Sequence, residues 1–160
     1  MKNTQNHKKG FTLIELLVVV AIMGMLAALA VVALNNARAR ARDARRISDV
    51  KQIQTALELY FLDNNNYPTG TNINLGSSTA LCFSDSGFAA TCGTQVTYMG
   101  LVPLNPAPSD DGACGDATSY VYTYDGAQQG TSYHITYCIG SIIGQLTAGD
   151  KIATPAGISN

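Results

Sequence analysis

Catalytic signatures are missing from this sequence: there is no Gly-x-Ser-x-Gly, no His-Glu-x-x-His and no glycine-rich phosphate loop. Only two histidines occur; His7 falls before the apolar segment, and His134 has no acid or base partner close in sequence. The reading is therefore not an enzyme, and no cofactor is expected. Basic residues are scarce in the C-terminal part, where Lys151 is the only one after Tyr60, against seven Asp. A surface of that sign is poorly suited to phosphate contacts, which argues against a nucleic-acid partner for this part. Cysteine is absent before Cys82, and no Cys-x-x-Cys occurs, so a zinc site has little to stand on. Proline and glycine are both absent from Asn35 to Asp63, which removes the two strongest helix breakers. No internal repeat is visible.

What the chain does have is an apolar run from Phe11 to Leu34, 24 residues with Glu15 as its only ionisable group. At 1.5 Å per residue this gives about 36 Å of helix, enough to span a bilayer with some tilt. A carboxylate at the centre of lipid costs roughly 2.5–3.5 kcal/mol on insertion scales, so Glu15 demands a partner or a reason. Lys8, Lys9 and Gly10 directly precede the run. Cleavage after Gly10 would create an α-amino group at Phe11, a cation that another copy of the chain could offer to Glu15. Two other readings compete. A secretory signal peptide fits the basic leader but not the length of the apolar stretch, and an ordinary membrane anchor leaves Glu15 unexplained. Basic residues flank both ends of the run, so the positive-inside rule does not choose an orientation.

Lys8-Lys9-Gly10-Phe11-Thr12-Leu13-Ile14-Glu15 resembles the processing motif of type IV pilins and type II secretion pseudopilins. A second block, Ala56 to Tyr60 with Asp63 to Pro68, is similar to the helix end of the same superfamily, particularly its major pseudopilins. The resemblance implies cleavage by prepilin peptidase between Gly10 and Phe11, N-methylation of Phe11, and docking of each subunit through Glu15. It implies a cytoplasmic N-terminus in the cytoplasmic membrane before assembly, and a cell-surface or extracellular fibre afterwards. The implied partners are further copies of the chain, the peptidase, a membrane platform protein and an assembly ATPase. The function so implied is that of a structural subunit of a type IV pilus-like fibre; the alternatives are a major-type pseudopilin of type II secretion or a minor DNA-uptake or adhesive pilin. Family members commonly carry a proline late in the apolar run, where this chain has Val31-Val32-Ala33-Leu34.

The expected organisation is a leader over 1–10, a membrane or fibre-core helix over 11–34, its amphipathic continuation over 35–63, and a β-rich head over 64–160. Ile47, Val50, Ile53, Leu57 and Tyr60 with Phe61 recur at three- and four-residue steps and form one apolar stripe. Asp63 to Asn66 and then Pro68 end the helix. Residues 69–118 read as loop-rich. Ser119–Tyr124 and Ser132–Cys138 alternate as strands around an Asp125-Gly126 turn, Lys151–Thr154 offers a third strand and Gln95–Tyr98 a fourth. The fold class is α+β, a long N-terminal helix packed on a small antiparallel sheet.

Cys82, Cys92, Cys114 and Cys138 allow three pairings, of which Cys82–Cys92 with Cys114–Cys138 closes the shortest loops. A small polar head with few Leu and Phe needs such staples. Asp110, Asp111 and Asp116 lack the oxygen spacing of a calcium loop and read as a solvated turn, so no metal is expected. Arg38, Arg42, Arg45 and Arg46 share much of one helix face, which reads as solvation beside the membrane plus ion pairs with Asp43, Asp49 or a neighbouring subunit, rather than as a DNA surface. Tyr120, Tyr122, Tyr124, Tyr133 and Tyr137 form a ladder that suits cross-strand packing.

Overall fold

The computed structural model describes residues 10–108, 112–114, 119–125 and 130–160. The chain divides into two units, one ending at Ala37 and the other running from Arg38 to Asn160. Helix α1 covers Leu13–Asn64, 52 residues without interruption. It starts two residues after Phe11 because Thr12 caps it. It ends where Asn65 takes a left-handed conformation (φ 54°), with its N–H bonded to the Phe61 carbonyl at 2.8 Å. Asn64 Nδ2 satisfies the Tyr60 carbonyl, another of the last-turn acceptors that the helix leaves open.

In the first unit every residue from Phe11 to Leu34 is exposed. This part of α1 is long and apolar enough to cross a membrane. In the second unit the same helix is amphipathic. Val50, Ile53, Ala56, Leu57 and Tyr60 are buried, with Ile47 and Phe61 packed at the edge.

Two antiparallel sheets complete this unit. The larger has strand order β1-β5-β6-β7-β8, with β1 Ile73–Leu75, β5 Tyr120–Tyr124, β6 Tyr133–Ile139, β7 Gly149–Thr154 and β8 Gly157–Ser159. The smaller has order β3-β2-β4, with β2 Cys82–Ser84, β3 Gly87–Ala89 and β4 Thr97–Met99. The two alternating runs pair as expected, Tyr122 opposite Ile135 and Tyr124 opposite Tyr133. The turn expected between them includes Gly126, which lies outside the described residues. The region read as loop contains four three-residue strands, too short to show any alternation. The strand expected near Gln95–Tyr98 sits at Thr97–Met99 and joins the smaller sheet rather than the larger one.

The tyrosine ladder points inward. Tyr120, Tyr122, Tyr133 and Tyr137 are buried, because residues two apart share a face of a pleated sheet and this face meets α1. Ring contacts link the layers: Tyr60 to Phe83 at 5.3 Å, Phe83 to Phe88 at 4.5 Å, Phe88 to Tyr122 at 5.1 Å, and Tyr67 to Tyr133 at 4.6 Å. Such aromatic pairs add about 0.5–1.5 kcal/mol each beyond the area they bury.

Candidate functional site

The first turn of α1 builds a reciprocal cap. Glu15 Oε2 accepts from the Thr12 N–H at 2.9 Å and from Thr12 Oγ1 at 2.6 Å, and the Glu15 N–H donates to Thr12 Oγ1 at 3.3 Å. Thr12-Leu13-Ile14-Glu15 is thus a capping box, in which a hydroxyl and a carboxylate three residues apart satisfy each other's backbone donors. The anionic end also sits favourably at the positive pole of the helix. The Thr-x-x-Glu spacing is the sequence signal for this box.

Around the carboxylate the surface is apolar: Phe11, Ile14, Val18 and Val19 flank Glu15 in a shallow recess. Gly10 and Phe11 precede the helix, and the Phe11 side chain is 80 % exposed. No Lys, Arg or His occurs in the sequence between Gly10 and Arg38, so no side chain of this stretch offers Glu15 a cation. Lys8 and Lys9, the basic part of the motif, lie outside the described residues.

In the second unit, Asp43 and Arg46 of α1 are locked into the head. Asp43 and Arg46 are fully buried and paired at 2.5 Å. Asp43 also accepts from the Gly140 N–H (2.9 Å), the Ser141 N–H (2.9 Å) and Ser141 Oγ (2.5 Å). Arg46 donates to Asn105 Oδ1 at 2.8 Å and to the carbonyls of Pro106 and Pro108. A buried ion pair holds only when its remaining donors and acceptors are met, and here backbone and side-chain groups of two loops meet them. One turn later Asp49 accepts from the Tyr120 hydroxyl at 3.1 Å and faces Arg45 at 3.7 Å. Burial raises the Asp49 pKa above its ordinary value, opposed by the Tyr120 hydrogen bond and the Arg45 charge.

The arginine face is therefore split. Arg46 is buried, Arg42 half-buried, and Arg38, Arg40 and Arg45 exposed. The Asp43-x-x-Arg46 spacing signals a helical ion pair but not its burial, because arginine next to a membrane segment reads as solvated.

Cys114–Cys138 joins the same region, bonding a loop to β6 two residues before Gly140. Gly112 is left-handed here (φ 59°) and passes so close to the Gly140 carbonyl that an added Cβ would lie 2.5 Å from its oxygen. Cys82–Cys92 bonds β2 to the turn that follows β3. His134 is half-buried on β6. Asp110, Asp111 and Asp116 lie outside the described residues, and among the described residues no group of three His, Cys, Asp or Glu side chains is placed to hold a metal.

Residues 5–31 match the family model for the prokaryotic N-terminal methylation motif. Over 117 residues the chain is 37% identical to the type IV major fimbrial protein FimA of Dichelobacter nodosus, covering 69% of each chain. It is 43% identical over 72 residues to the type II secretion system core protein G of Escherichia coli K12, covering 45% of this chain and 49% of that protein. The Aeromonas hydrophila core protein G is 42% identical over 65 residues, 41% of this chain and 46% of that one. The chain thus spans about half the length of the core protein G relatives. No solved structure matches it at significance.

Proposed function

The chain belongs to the type IV pilin and pseudopilin superfamily, and we propose that it is the structural subunit of a type IV pilus-like fibre, made as a precursor whose leader ends at Gly10. In this reading prepilin peptidase cuts between Gly10 and Phe11, and Phe11 is N-methylated. The exposed apolar part of α1 holds the subunit in the cytoplasmic membrane, N-terminus inside, until a platform protein and an ATPase drive it into the fibre. There, packing against other copies takes the place of lipid around some 24 apolar residues.

The observation that carries this reading is Glu15, a single carboxylate in an exposed apolar recess whose bonded partner is its own Thr12; in the fibre a neighbour's new amino terminus would pair with it. Glu15→Ala is expected to leave cleavage and membrane insertion intact and to abolish filaments. Wild-type filament levels from that variant would remove the docking role.

The second reading, a subunit of a type II secretion pseudopilus, draws on the core protein G matches. The longer coverage of the fimbrial relative, 69% of both chains, favours the surface fibre. A deletion strain that keeps its secreted enzymes but loses surface filaments would separate the two in favour of the pilus.

A further inference from the structure

Folding sorts the charges of the second unit by position. On α1 the acids Asp43 and Asp49 are turned inward, so the exposed charges between residues 38 and 51 are Arg38, Arg40, Arg45 and Lys51, all positive. Beyond residue 51 the one Lys is buried, and the exposed charges among the described residues are Glu58, Asp63, Asp85 and Asp150, all negative. Asp150 lies at the basic end, since β7 pairs it with Cys138, two residues from the Gly140 that binds Asp43.

Asp63 and Asp85 mark the opposite end. Asp63 closes α1 and accepts from the Tyr98 hydroxyl at 2.9 Å. Asp85 lies close to the same ring: its N–H donates to the Val96 carbonyl at 2.9 Å, and the preceding Ser84 pairs with Thr97, the residue before Tyr98. Arg38 and Arg40 make no hydrogen bond or ion pair with any described residue, whereas Arg45 is shared with Asp49.

Along the helix, Arg38 and Asp63 are about 37 Å apart at 1.5 Å per residue. Exposed charges interact over a Debye length of about 8 Å at physiological salt, so the two ends do not serve each other within one chain. A net positive end, where Arg38, Arg40 and Arg45 outnumber Asp150, and a negative end of the same unit complement each other between copies. Such a contact is heterologous, and a heterologous contact that does not close propagates an open helical polymer.

We propose that Arg38 and Arg40 of one copy meet the Asp63 and Asp85 end of another copy in the fibre, fixing the axial register of successive heads. The proposal rests on the fibre reading above. Its occupant is a second copy of this chain, because the complementary surface is present in the chain itself.

The test is a charge exchange in the full-length protein, scored as filament sheared from cells. Arg38→Glu with Arg40→Glu, and separately Asp63→Lys with Asp85→Lys, should each lower the yield by about tenfold, while all four together restore it to within about threefold of wild type. A fourfold variant no better than either double variant overturns the contact. Loss of filaments from the arginine pair alone, with the aspartate pair unaffected, also overturns it and assigns the arginines to anionic headgroups or a nucleic-acid duplex. Should the fourfold variant fail to fold by circular dichroism, Arg40→Cys with Asp63→Cys decides: a ladder of disulfide-linked copies supports the contact, and its absence rejects it. A wild-type strain without filaments would fail the fibre reading first, and this contact with it.

Discussion

Glu15 is held by its own Thr12, its proposed partner in the fibre is a neighbour's amino terminus, and the two roles separate by mutation. Thr12→Val removes the hydroxyl that binds the carboxylate at 2.6 Å but leaves the carboxylate free to dock. If docking is its role, filaments persist in Thr12→Val and vanish in Glu15→Ala; equal loss in both would mean that Glu15 serves only to cap its own helix. Asp49 gives a pH prediction. Burial raises its pKa from the ordinary 3.8, so the folded state keeps this proton to higher pH than the unfolded chain does. Its contribution is then present below the unfolded value and is lost as pH rises through the folded one. Asp49→Asn keeps an acceptor for Tyr120 without the charge. The variant should therefore melt higher than wild type at neutral pH, with the difference shrinking in acid; a lower melting temperature at neutral pH would contradict this. Tyr137 acts at the alkaline limit. Burial pushes it from 10 to about 12, so stability falls as pH rises across that interval, and Tyr137→Phe should lessen that fall in the unfolding midpoint; an identical fall in the variant would contradict this.

At the scale of elements, the long helix was legible because its signals agree: good helix formers, no breaker from Asn35 to Asp63, a three-four apolar stripe and an asparagine-rich stop. The hairpin of β5 and β6 was legible from alternating tyrosines, and the Thr-x-x-Glu spacing contained the cap. The strands β1 to β4 were not, since three residues carry no period and their pairing is set by the aromatic core that they close. Nor was the Asp43–Arg46 clasp, because its partners are backbone and side-chain groups from loops some 60 and nearly 100 residues away. Two deletions probe these elements. Arg46→Met leaves Asp43 buried without its cation and should cost about 3–5 kcal/mol, read as the fall in unfolding midpoint of the head. Cys138→Ser frees the loop that lies against Gly140 and should cost about 2–5 kcal/mol. An unchanged midpoint in either variant would mean that the clasp or the bridge does not hold the head to its helix.

For the whole molecule, one helix serves two environments. Its first part exposes apolar side chains on every side and needs lipid or other copies around it, and its second part is the spine of a disulfide-linked head. In the proposed fibre the apolar residues and Glu15 would form the interior, and the exposed charges of the second unit would face successive heads. The most direct test of this account is the intact mass of protein sheared from the surface of its native host. The account predicts a chain that starts at methylated Phe11 and is four hydrogens lighter than the reduced form, from two disulfides. A protein absent from the sheared fraction and kept in the membrane with residues 1–10 still attached would contradict it.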